Sequence, residues 1–156
     1  MVSERKFLGH RLLASGMLTI APKSLDRMKD RIRELTRRNR GVSFEEVIGG
    51  LNSFLTGWVT YYRYAKCKTA LTELDQWIRR RLRCFRLKQR KRRYAIATFL
   101  RDLGLPAWRA WPLAWSGKGW WRKAGSPQAA EAMSNNWFES AGLVSLVRHY
   151  ATLQSP

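Results

Sequence analysis

SFEEVIGGLNSFLTGWVTYYRY, residues 43–64, decides the fold of this 156-residue chain. Ser43 and Glu46 form an S-x-x-E capping box, and Val42 and Val47 are placed as a hydrophobic staple, so a helix starts here. It carries Phe44, Val47, Ile48, Leu51, Phe54, Leu55, Trp58, Tyr61 and Tyr62, and after Glu46 no charge appears until Arg63. A helix apolar on most sides sits centrally in a bundle. Gly49, Gly50 and Gly57 each cost about 1 kcal/mol in a helix interior, which predicts a closely approaching neighbour or a kink. The helix is expected to run to about Tyr64.

Working outward, Leu25, Met28, Ile32 and Leu35 recur at helical spacing. They predict a helix capped by Ser24, running to about Arg40 and stopped by Gly41. Upstream, Lys6 to Leu12 and Met17 to Ala21 flank Ala14-Ser15-Gly16 and read as a short hairpin, ended by Pro22. Downstream, Leu71, Leu74, Trp77, Ile78 and Leu82 give a third helix from about Thr69 into the 80s. Tyr94 to Leu103 reads as a short helix stopped by Gly104, and Pro106 to Ala114 as another. Residues 116–127, rich in Gly, Trp and Lys, read as a loop. Trp137 and Phe138 precede a final apolar helix, about Val144 to Leu153. The expected fold is mainly α: a short N-terminal β-hairpin (1–22), a three-helix bundle (23–90) and a basic linker with a small helical C-terminal subdomain (91–156).

Charge narrows the function. The chain carries 30 Lys and Arg against 11 Asp and Glu, a formal +19, yet is 45% hydrophobic with eight Trp. That apolar content marks a folded protein rather than a basic tail. Self-repulsion at this charge opposes compaction, and a polyanionic partner accounts for it. From Arg79 to Arg93, ten of fifteen residues are basic and none acidic. A solvated helix face mixes signs, because like charges at i,i+4 repel, as Arg79/Arg83 and Arg86/Arg90 do here. Arg outnumbers Lys eight to two in that tract, which suits bidentate grip on phosphate. The phosphate-contact set is Arg79, Arg80, Arg81, Arg83, Arg86, Lys88, Arg90, Lys91, Arg92 and Arg93, with Arg37, Arg38 and Arg40 on the first helix and Lys118 in the Gly-rich stretch. Anionic membrane is the rival polyanion, but the apolar residues beside the tract have neighbouring helices to pack on, and no membrane partner is expected.

Other chemistries are excluded by what the chain lacks. Its four Asp are scattered at 26, 30, 75 and 102, whereas two-metal polymerases and nucleases need converging carboxylates. No catalytic residue, metal site or cofactor is expected. The two cysteines, Cys67 and Cys84, form no Cys-x-x-Cys pair and read as reduced thiols. No secretory leader and no run of about 18 apolar residues is present, so the sequence predicts a soluble, cytoplasmic protein. Ser116-Gly117-Lys118-Gly119 lacks the spacing of a phosphate-binding loop. Trp58, Tyr61, Tyr62 and Trp77 read as core, whereas Trp108, Trp111, Trp115, Trp120 and Trp121 crowd so short a stretch that some are open to stacking on bases beside Arg109, Lys118, Arg122 and Lys123.

The string Leu51-Asn52-Ser53-Phe54-Leu55-Thr56-Gly57-Trp58-Val59-Thr60-Tyr61-Tyr62 resembles the L-N-x-x-L-x-G-W-x-x-Y-Y signature of the group II intron maturase-specific domain, the thumb or domain X that follows a reverse transcriptase. Lys6-Phe7-Leu8-Gly9 is similar to the block closing that family's palm, and Ala21-Pro22-Lys23-Ser24 to the lead-in of its thumb. Leu74-Asp75-Gln76-Trp77-Ile78-Arg79-Arg80-Arg81-Leu82-Arg83 resembles its L-D-x-W-[IV]-R-R-R-[LI]-R helix. Ala114 to Trp121 and Gly142 to Leu146 look like the tail of bacterial members without a nuclease domain.

The resemblance implies a thumb and C-terminal segment without the polymerase. Met1 falls about three residues before the last palm block, and no Asp-Asp pair occurs. It implies binding of structured group II intron RNA to assist splicing, with no polymerase or nuclease activity. Target DNA and a separate reverse-transcriptase palm polypeptide are further partners it allows. Asn52, Gly57, Trp58, Tyr61, Tyr62, Asp75 and Trp77 carry the family signature and are expected to build the bundle. Two other readings stay open: a DNA-binding segment used in intron insertion, and a remnant of a truncated reverse-transcriptase gene.

Overall fold

A computed structural model describes residues 4–7, 10–13, 18–37 and 41–154, with side chains described from residue 18 onward. The fold is mainly α, as the sequence predicts. Three short strands, β1 (Glu4–Phe7), β2 (His10–Leu13) and β3 (Leu18–Ile20), form an antiparallel sheet in the order β1-β2-β3. The expected hairpin is therefore a three-stranded meander: Lys6 to Leu12 is divided between two strands that pair with each other, Phe7 opposite His10. Lys66 N–H donates to the Leu18 carbonyl at 2.7 Å, tying β3 to the bundle.

Helix α1 spans Pro22–Leu35. It starts earlier than Ser24, because Pro22 supplies a fixed φ and lacks the N–H that a first turn leaves unpaired anyway. Ser24 is instead buried within that turn. The helix stops at Thr36, whose hydroxyl donates back to the Ile32 carbonyl at 2.6 Å, rather than continuing to Arg40. Helix α2 (Phe44–Tyr61) begins where the capping box predicts, with Ser43 Oγ accepting the Glu46 N–H at 3.1 Å. It ends at Tyr61, three residues early. A Cβ on Gly49 or Gly57 would meet nothing within 4 Å among the described residues, which therefore supply no close approach there.

Helix α3 (Lys68–Arg90) has 23 residues, about 35 Å at 1.5 Å per residue, and is the spine of the molecule. Leu71, Leu74, Ile78, Leu82 and Phe85 at i+3/i+4 spacing face the core. Lys91 terminates it with φ +62 and ψ −61, a γ-turn closed by the Arg92 N–H donating to the Arg90 carbonyl at 2.7 Å, which costs a Cβ-bearing residue energy and turns the chain sharply. Helices α4 (Arg93–Asp102) and α5 (Ala107–Trp115) follow as predicted, separated by Gly104 at φ +100.

Residues 116–127 are not all loop. Helix α6 (Trp120–Ala124) lies within them. Helices α7 (Pro127–Ala132) and α8 (Asn135–Ser140) were not foreseen, although Ser126 and Ser134 cap them by accepting the Ala129 and Trp137 N–H groups, each at 3.2 Å. An N-cap Ser followed by Pro was the available signal at α7. Helix α9 (Leu146–Gln154) returns to pack on α2 and α3. One continuous apolar core runs from Ile20 through Leu55, Leu82 and Leu100 to Met133, Phe138 and Leu146, so the chain beyond Lys91 is packed onto the bundle.

Candidate nucleic-acid interface

The basic tract faces two ways because a helix has two sides and α3 is covered on one of them. Toward the interior, Arg83 is buried, donates from Nε to the Met133 carbonyl at 2.8 Å and lies 5.3 Å from the Phe138 ring. Burial, then the neighbouring Arg79 charge, pulls its guanidinium down to about 10. Arg86 sits between the rings of Phe44 and Phe99, at 5.2 and 5.3 Å, and burial followed by Arg90 lowers its pKa, with Glu45 acting the other way. Arg81 donates to Thr36 Oγ1 at 2.7 Å, joining α3 to the end of α1. Arg80 donates through Nε and Nη2 to the Trp121 carbonyl, at 3.2 and 2.8 Å, and lies 4.1 Å from the Trp121 ring. These four residues were expected on phosphates; the structure gives each a protein partner.

The remaining cations face solvent. Arg90, Lys91, Arg92 and Arg93 are exposed around the sharp turn after α3, with Lys88 half-buried one turn earlier. Among the described residues, none of the five is in an ion pair. Arg90 rests on Phe99 at 4.8 Å and Arg93 near Trp115 at 5.9 Å, contacts that position the guanidinium while leaving its charge unneutralised. Arg79 is half-buried, whereas Arg37 and Lys118 are exposed. Arg38 and Arg40 lie outside the described residues.

The signature residues divide similarly. Tyr62 is buried, and Trp58 and Trp77 are half-buried, with Trp77 flanked by Arg33 and Arg81 at 5.2 and 5.5 Å. Tyr61 departs from the expected core role: it is exposed and packs edge-on against Tyr62. Asn52 and Asp75 are clamps. Asn52 donates to the Gly142 carbonyl at 2.7 Å and accepts the Val144 N–H at 2.8 Å. Buried Asp75 accepts from the Leu146 and Val147 N–H groups and the Ser145 hydroxyl, at 2.9, 3.1 and 3.0 Å. Sequence reasoning foresaw a structural role for both but not their common target, since nothing local links positions 52 and 75 to 142–147.

The other described carboxylates are dispersed. Asp30 pairs with Arg33, Glu34 with Arg31, Glu131 with Arg109 and Glu139 with Arg148. No described helix is long and apolar enough to cross a membrane. The arrangement is that of a cation-bearing surface on a rigid helical frame, able to hold phosphates. No curated protein matches the chain. The family model "Group II intron, maturase-specific domain" matches residues 25–104, the stretch from the first turn of α1 to the glycine that ends α4. The chain belongs to the group II intron maturase-specific domain family.

Proposed function

We propose that this protein binds structured group II intron RNA and assists its splicing by stabilising the folded RNA. The observation that carries this reading is the cation band at the end of α3, half-buried Lys88 and exposed Arg90 to Arg93, with no ion pair among the described residues, inside a match to a maturase-specific domain. Phosphates are held by arginine forks and by charge that the fold leaves unneutralised. The contribution is binding: the RNA supplies the reacting groups, and the protein supplies cations and shape. The separation of the described acidic residues, with Asp75 committed to capping α9, supports a role without polymerase or nuclease chemistry.

Filter binding of the full chain to a folded group II intron RNA, against unrelated RNA of equal length and duplex DNA over a salt series, tests the reading. Intron preference that persists at physiological salt is expected. Equal, steeply salt-sensitive binding to every polyanion would overturn it, and preference for duplex DNA would transfer the role to intron insertion.

A further inference from the structure

Helix α5 places Trp108, Trp111 and Trp115 at i, i+3 and i+7, on one stripe. Trp111 lies between two other rings, 5.8 Å from Tyr94 of α4 and 4.6 Å from Trp115. The rings are tilted by 54° and 51° to one another, so they do not stack flat and hide each other's faces. Tyr94 is 70% exposed, Trp108 76% and Trp115 47%. Folding normally removes such rings from water.

Beside the ladder is a cleft of about 400 Å³. Pro112 of α5 and Ser116 just after it form one wall, and Lys118, Arg122 and Lys123 supply positive charge, with no acidic residue among the described lining residues. Arg93 bridges the two features: its guanidinium lies near Trp115, and its charge acts on Lys123. Burial and that like charge together lower the Lys123 pKa, a crowding that an anion in the cleft would relieve.

We infer that the Tyr94–Trp111–Trp115 ladder, Arg93 beside it and the adjoining Lys118/Arg122 cleft form a binding site for unpaired nucleotides, bases on the rings and phosphates on these cations. Single strands fit and duplexes do not, because a duplex keeps its base faces inside its own stack. The inference deepens the RNA-binding reading by naming the feature held, a single-stranded segment rather than a helix.

The test uses the full chain and labelled strands of about 12 nucleotides, of a size that stacking grooves hold, with no intron sequence. One strand is RNA, one is its abasic counterpart with the same phosphates, one is the deoxy strand and one is a duplex. The intact RNA strand is expected to bind at least about tenfold tighter than the abasic strand, as base–aromatic stacking implies. The same gap is expected for the deoxy strand, since the base faces carry it. Tyr94→Ala with Trp115→Ala should remove the gap between intact and abasic strands, and Tyr94→Phe with Trp115→Phe, which keeps a ring beside Arg93, should retain most of it. Equal binding of intact and abasic strands by the wild type, or a gap that survives the double alanine variant, overturns the site. Because no strand carries intron sequence, loss of intron preference alone would strike the function proposed above and leave this site standing.

Discussion

The carboxylate of Asp75, in the amino-terminal half of α3, accepts the backbone N–H of Leu146 at 2.9 Å and so caps the amino end of α9 from another helix. An orphan helix N–H is normally satisfied by its own N-cap side chain. Here Ser145 Oγ accepts the Arg148 N–H at 3.4 Å and donates to the same carboxylate, whose negative charge also meets the positive end of α9. Asn52 grips the segment just upstream through Gly142 and Val144. Two residues of the family signature thus hold a segment beyond residue 104, where the family match ends.

Asp75→Ala should cost on the order of 3 kcal/mol, since it deletes a charged acceptor of several hydrogen bonds in a buried setting. Amide hydrogen exchange is the sharper reading. The Leu146 and Val147 amides should lose their protection while those of α2 keep theirs. Unchanged protection at both would contradict the cap.

Gly125 is needed by Arg80. A Cβ at Gly125 would lie 2.6 Å from the Arg80 Cζ and Nη2 atoms, so the guanidinium must leave the Trp121 carbonyl and ring in a Gly125→Ala variant. The loss should be about 1–2 kcal/mol, read as a shift in urea midpoint. In an Arg80→Ala background the same substitution should cost almost nothing, because the group it displaces is gone. Additive effects would contradict the contact.

How much of this was legible in the sequence follows from how local each determinant is. Ser43 announced α2 because a capping box acts within four residues, and Leu71 to Leu82 announced α3 because periodicity acts along one helix. Charge marks Arg80, Arg81, Arg83 and Arg86 as phosphate ligands in the sequence, because it does not say which helix side another segment will cover. Their partners, Trp121, Thr36, Met133 and the Phe44–Phe99 pair, are contributed by other elements. The short helices α7 and α8 escaped because six residues hold too little periodicity to read. The residues around Arg92 are exposed, which leaves their charge open to a partner.

Cys67 gives a pH-dependent reading. Burial pushes its thiol up to about 11 from an ordinary 9. A group whose pKa is raised on folding adds stability that is complete below its unfolded value and is lost as pH rises through the folded one. The Cys67 contribution should therefore be intact below pH 9 and disappear towards 11. In a Cys84→Ala background, alkylation of the folded protein should be slow at neutral pH and rise to half-maximum near pH 11, against 9 for the unfolded chain. Rapid labelling of folded protein at neutral pH would contradict the burial.

The division of the basic tract into an inward set and an outward set is the central claim, and the salt dependence of intron RNA binding tests it most directly. Lys88→Gln, Arg90→Gln, Lys91→Gln and Arg92→Gln combined should leave the urea midpoint near wild type and reduce the slope of log K against log salt by about 0.7–0.9 for each phosphate no longer neutralised. Arg83→Gln should do the opposite, lowering stability because it removes the hydrogen bond to Met133 and the packing on the Phe138 ring, while the folded fraction keeps the wild-type slope. An unchanged slope in the quadruple variant, or a reduced slope with full stability in Arg83→Gln, would contradict that division.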